Sequence, residues 1–134
     1  MCAGIIKRIE DAVDLGECLN VLNTAYKHRD EKLGIDRSYK RADVSYEELK
    51  EAFDNGTHMY GYYSAGRLAA LLSFKEKGDN VKLKDIVVLP EYQGKGIGSL
   101  LMDHLKSSAE NEGKERIILG FLYNISEYYI VSLG

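Results

Sequence analysis

The sequence predicts an α/β chain of the α+β kind: a mixed, mostly antiparallel sheet flanked by helices, in one domain over residues 1–134. Three observations point there. The hydrophobic pattern changes period, from helical in the first third to strand-like in the middle. The β-rich runs of the middle are separated only by Ala65-Gly66 and Gly78-Asp79-Asn80, turns short enough to join antiparallel neighbours. A glycine-rich loop then leads into a leucine-rich helical pattern and a fifth, nearly all-apolar run. With 134 residues, 45% of them hydrophobic, the chain can bury one core of ordinary size.

The elements follow in order. Residues 4–10 read as a strand. Residues 11–27 read as a helix, with Asp11 as its cap and Leu15, Leu19, Leu22 and Tyr26 as its buried stripe. Residues 28–44 are charged and read as irregular. A second helix opens at Ser45 and Glu48, which match a capping box, and stops at Asn55-Gly56. Residues 57–63, 67–75 and 81–89 form a meander of three strands. Pro90, the single proline, cannot extend a ladder and closes it. Ile97, Leu100, Leu101, Leu105 and Ala109 give a third helix, ended at Gly113. Residues 116–122 read as a fifth strand covered on both faces. The closing "ISEYYIVSLG" reads as a short helix.

Composition excludes several function classes. The net charge is −3 with both signs interspersed, so nucleic acid is not the expected partner. No apolar run approaches membrane-spanning length, and a charge arrives too early for a signal peptide. Cys2 and Cys18 show neither metal spacing nor a disulfide framework. No metal site is expected, and a reducing cytoplasm fits. Cys18 falls in a helical pattern and is expected in the core.

"QGKGIGSLL", residues 93–101, carries the chemistry. A strand, a glycine-rich turn and a helix start together make an anion site, because unpaired N–H groups point outward there and the helix dipole favours negative charge. Gly94, Gly96 and Gly98 allow close approach of a ligand to the backbone. Gln93 and Lys95 can add side-chain donors, and a diphosphate is the expected anion. The Walker pattern fails, because Gly96 follows Lys95 and no Ser or Thr stands where magnesium would be held. The dinucleotide fingerprint fails too: the spacing is G-x-G-x-G, a meander precedes it, and the next strand ends "GFLYN" with no acid.

"LKDIVVLPEYQGKGIGSLLMDHL" resembles the acetyl-CoA-binding segment of the Gcn5-related N-acetyltransferases. The family's Gln/Arg-x-x-Gly-x-Gly/Ala is matched by Gln93, Gly96 and Gly98, and its Val-x-Pro-Glu-Tyr lead-in by Val88, Pro90, Glu91 and Tyr92. The resemblance implies acetyl-CoA as acetyl donor. It implies that backbone amides of about residues 94–99 (Gly94, Lys95, Gly96, Ile97, Gly98, Ser99) hold the diphosphate. It places the pantetheine arm along Ile86, Val87 and Val88, and an oxyanion donor at the backbone N–H of Val87 or Val88.

Acetyl transfer to an amine needs a neutral nucleophile, and an alkylamine of pKa about 10.4 is mostly protonated at pH 7. A base therefore helps. The candidates are Asp85, where many relatives carry an acid, and Glu76, near the end of the third strand. His58 and His104 could titrate near neutrality. His104 is expected at the edge of its helix's buried stripe, and His58, Tyr60 and Tyr62 share one strand face. Relatives often place a tyrosine acid in the last helix. Here the spacing falls on Ile130, so Tyr129, or Tyr128 beside it, is the substitute. Asn124 resembles the asparagine that opens this segment.

Most relatives continue into one or two further strands beyond the fifth, and the resemblance implies that these are lacking here. Residues 117–121 would then be a bare apolar edge, which favours a homodimer through the C-terminal region. The acceptor, a small-molecule or protein amine, is not specified by the loop 27–43, which carries both signs of charge. A CoA-binding module that has lost transfer is the alternative reading.

Overall fold

The computed structural model of the chain describes residues 4–34, 44–120 and 128–133. Six strands form one sheet in sequence order: β1 (Ile5–Arg8), β2 (His58–Ser64), β3 (Arg67–Lys77), β4 (Asn80–Val88), β5 (Arg116–Gly120) and β6 (Tyr128–Ser132). Every pairing is antiparallel except that of β4 with β5. Three helices cover it: α1 (Leu15–Leu33), α2 (Tyr46–Asp54) and α3 (Ile97–Asn111).

The turn chemistry works as the sequence suggests. Ala65 and Gly66 both have positive φ, 51° and 79°, as a two-residue hairpin with the right twist requires. At the next turn Gly78 takes φ 60°, and Lys77 pairs with Asn80 across it. The Ser45–Glu48 capping box is complete, with both reciprocal bonds at 3.2 Å. Gly56 takes φ 90° just past α2.

Two expectations are corrected. The first helix reaches Leu33 rather than ending at residue 27. The charged residues Arg29, Glu31 and Lys32 are good helix formers, and the stop is Gly34, left-handed at φ 69°. A 3-10 turn, Ala12–Asp14, precedes the helix, and Asp11 caps that turn by accepting from the Val13 N–H. The C-terminal stretch is a strand, not a helix. β6 pairs antiparallel with all of β5, from Arg116↔Ser132 to Gly120↔Tyr128. β5 is thus not a bare edge, and the dimerisation argument built on it does not hold.

The core has two layers. α1 and α2 pack on one face of the sheet over Leu68, Leu71, Val87 and Leu89. α3 packs on the other over Ala70, Leu72, Phe74, Val81 and Ile117. β3 is the centre, buried on both faces from Leu68 to Ser73. Cys18 is fully buried as expected, and burial pushes its thiol up to about 12. Among the described residues no helix is long and apolar enough to cross a membrane, and no His, Cys, Asp and Glu side chains cluster as a metal site.

Candidate functional site

The site begins where β4 and β5 part. They pair only from Asn80↔Arg116 to Leu83↔Leu119. Among the described residues β4 then continues to Val88 beside β3 alone. The edge of β4 that faces β5 is therefore unpaired over its last residues. Leu89 donates its N–H to Ala69 of β3 at 2.9 Å. In an antiparallel ladder the direction alternates residue by residue. Val87 therefore faces β3, while Ile86 and Val88 turn their N–H groups to the open edge. Of the two expected oxyanion donors, Val88 turns its backbone N–H to the opening, with no acceptor among the described residues.

A β-bulge sets the side chains of this stretch. Ser73 pairs with Asp85 and Phe74 with Leu83, so Lys84 is an extra residue on β4. Val81 and Leu83 point to the α3 face. Simple alternation would send Asp85 there too. The extra residue reverses it: Val87 and Leu89 pack on the α1 face, and Asp85 meets Tyr26 of α1. Ile86 and Val88 pack on the α3 face.

Asp85 is half-buried and firmly held. One carboxylate oxygen accepts from the Tyr26 hydroxyl and the other from the Ser73 hydroxyl at 2.7 Å. Burial, then the charge of Asp85 and this hydrogen bond, hold the Tyr26 phenol well above the usual tyrosine range. Tyr26 thus remains a donor. The Arg29 guanidinium lies 4.6 Å from its ring centre. The sequence reading placed Tyr26 on a buried stripe and missed this role. The available signal was Ser73, a lone hydroxyl in the apolar run "LAALLSF".

Glu76 does not join this group. It lies on the α3 side, 3.6 Å from His58 and 3.8 Å from Lys114. His58 and Tyr60 also belong to that side, where both stack on Phe74. None of the three faces Asp85. His104 sits at the edge of the α3 stripe, against the Tyr60 ring, and burial lowers its pKa.

The loop after β4 is a 3-10 turn, Pro90–Tyr92, followed by Gln93 to Gly96 and then α3. Gly94 and Gly96 take positive φ, 76° and 81°. Among the described residues the N–H groups of Gly94, Lys95 and Gly96 have no backbone acceptor. The first bond of α3 is Leu100 N–H to Gly96 O, so Ile97, Gly98 and Ser99 open the helix with orphan N–H groups. No side chain caps this end. A Cβ on Gly94, Gly96 or Gly98 would meet nothing within 4 Å. The loop is thus an open cradle of donors, and nothing in the protein's own packing demands these glycines at once. The residues present fit a diphosphate. Lys95 has no acid partner among the described residues and lies 5.7 Å over the Tyr92 ring. Gln93 differs from expectation. Its side-chain amide donates to the Val88 carbonyl at 3.1 Å, so it ties the cradle to the open edge.

Tyr129 is in β6, its backbone opposite Leu119, so it does not come from a helix; its side chain and Asn124 lie outside the described residues.

The sequence profile described as the acetyltransferase (GNAT) family matches residues 20–126. No curated protein matches the chain. Among solved structures, the PaiA N-acetyltransferase of Thermoplasma acidophilum, in complex with coenzyme A, superposes with a TM-score of 0.76. It is 19% identical over 92% of this chain and 82% of its own. A GNAT family acetyltransferase of Brucella melitensis, in complex with acetyl-CoA, gives 0.75 at 19% identity, over 100% of this chain and 90% of its own. The ribosomal-protein-S18-alanine N-acetyltransferase of Escherichia coli gives 0.69 at 21% identity, over 92% and 71%. At these identities the likeness is one of fold.

Proposed function

Because the chain belongs to the acetyltransferase (GNAT) family, we propose that it moves the acetyl group of acetyl-CoA directly to a primary amine of a small molecule or a protein. The observation that carries this reading is the continuity of two features. The unpaired edge of β4 ends at Val88, and the donor cradle of residues 94–99 begins six residues on. The first suits an extended amide-bearing arm, as strand addition does. The second suits the diphosphate of the same cosubstrate.

Acetyl-CoA supplies an acetyl group activated as a thioester. The backbone amides of residues 94–99 bind the diphosphate, and Lys95 adds a charge. Ile86 pairs with the pantetheine arm, and Val87 sets the strand's lie from the β3 side. Val88 aims its N–H where the carbonyl oxygen gains charge, a preorganised donor of the kind that contributes most to acyl transfer. Asp85 accepts the proton of the incoming amine through a water, since each of its oxygens already holds one hydroxyl. Glu76 has no part in this reaction. Tyr129 is the acid we assign to the leaving thiolate. With a thiol pKa of about 8.5 this is the least demanding step. Tyr26, held above the ordinary phenol range, is poorly suited to that task.

Both acceptor classes stay within the reading. One fold neighbour is named for an alanine of a ribosomal protein. A cytoplasmic site of action fits the free, buried Cys18. The homodimer reading then rests on the outer edge of β6, and light scattering of the purified protein tests it.

The test of function is thiol release from acetyl-CoA over a panel of amines, with wild type and Gly96→Trp. Wild type should release thiol with at least one amine and the variant with none. Tight CoA binding without release from any amine would leave only a CoA-binding module. Unchanged activity in Gly96→Trp would refute the cradle assignment.

A further inference from the structure

A second cavity, of about 420 Å³, lies on the α3 face at the far end of the helix from the glycine cradle. Its walls come from the ends of β1–β4 and from Ser108, Ala109, Asn111 and Glu112 of the α3 terminus. α3 has 15 residues, so about 20 Å separates the two ends. The volume falls in the range of small-molecule sites, and the reaction proposed above uses none of its residues.

One wall is cationic and incompletely paired. Arg8 donates to the Tyr60 hydroxyl at 2.9 Å and to His58 Nδ1 at 2.7 Å, and its guanidinium lies 5.5 Å from the Tyr60 ring centre. Neither partner is an acid. A guanidinium has five N–H donors, so most of this fork is free for a carboxylate. Because His58 accepts through Nδ1, its neutral ring carries the proton on Nε2, toward Glu76.

The opposite wall is anionic. The last turn of α3 holds no basic residue, and Glu112 caps it. The negative end of the helix dipole is therefore uncompensated. Glu76 lines the same cavity, with His58 Nε2 at 3.6 Å and the Lys114 ammonium at 3.8 Å. Lys114 also donates to the Gly78 carbonyl at 2.8 Å. Between the walls the floor is hydrocarbon: Phe74, Val81 and Ala109, each no more than 4% exposed. Stacking of His58 and Tyr60 on Phe74 fixes that floor.

We infer that this cavity binds a small zwitterion, with a carboxylate on Arg8, an ammonium beside Glu112 and Glu76, and an apolar body over Phe74. Its distance from the open β4 edge makes it a site for an effector rather than for the acceptor. The inference does not depend on the acetyltransferase reading.

The test is protein-observed NMR titration with leucine, 6-aminohexanoate, hexylamine and hexanoate. At least one of the two zwitterions should saturate, with shifts at the backbone amides of Arg8, Phe74 and Ala109. Both single-charge ligands should bind at least about tenfold more weakly. Arg8→Gln, at an exposed position, should remove the preference for the carboxylate while leaving CoA affinity and the melting temperature unchanged. Leucine against 6-aminohexanoate reports the charge spacing. No saturation by either zwitterion at about 10 mM, equal binding of hexylamine, or shifts confined to the β4 edge would overturn the inference. So would an Arg8→Gln protein that binds as wild type.

Discussion

The Tyr26 hydroxyl donates to the Asp85 carboxylate and so joins α1 to β4 across 59 positions of sequence. Ser73 completes the hold from the neighbouring strand. Replacing Tyr26 by Phe should therefore do two separable things. It should cost about 1.5–3 kcal/mol of stability, the range for a hydrogen bond to a charged group. It should also lower kcat with little change in CoA affinity, because Asp85 is left free to turn. A purely structural Tyr26 would lower the folded fraction alone, with kcat per folded molecule intact. Urea unfolding and steady-state kinetics on the same preparation distinguish these outcomes.

Gly98 is a helical residue whose added Cβ would touch nothing in the protein. Gly98→Ala should then be neutral or stabilising by about 0.5–1 kcal/mol, since alanine loses less backbone entropy in a helix. CoA affinity should stay within about threefold, because the family pattern accepts alanine at this position, whereas Gly98→Trp should lower it by at least about tenfold by filling the approach to the N–H cradle. Calorimetry of CoA binding checks this, and undiminished affinity in Gly98→Trp would count against the cradle.

Ala65 has φ 51° at an exposed turn, the one described residue other than glycine with positive φ. A left-handed alanine costs about 1–2 kcal/mol, and asparagine tolerates that conformation better. Ala65→Asn should raise the urea midpoint by the equivalent of about 1 kcal/mol without affecting acetyl transfer. A lower midpoint would mean that the turn is not of the positive-φ type.

His104 Nε2 is buried without a hydrogen-bond partner among the described residues, and burial lowers the pKa of the ring. The folded state thus prefers the neutral imidazole. Its contribution is whole above the unfolded-state value of about 6.5. It is lost as pH falls through that value towards the lower folded one. Wild type should therefore lose more stability between pH 7.5 and pH 5 than His104→Leu does. Equal losses in the two proteins would place the ring in contact with water.

Local chemistry made much of the fold legible. The Ser45–Glu48 box, the glycine turns and Pro90 each act within a few residues, so the sequence names them and the structure repeats them. The cradle is legible for the same reason, being a contiguous run of backbone whose donors face outward. The length of α1 was less so, because the charged residues that continue it do not show an apolar stripe. β6 was read wrongly, because a five-residue run becomes a strand only when a neighbour such as β5 offers it a ladder.

By itself, then, the sequence determined the meander, the helix that opens at the glycine loop and the anion-binding character of that loop. These depend on residues adjacent in the chain. The tertiary structure alone decided which face of the sheet each candidate acid takes. Asp85 reaches Tyr26 because one extra residue, Lys84, turns the strand over against β3, while Glu76 stays on the opposite face. A bulge is a property of two strands in register, and no single stretch of sequence carries that register.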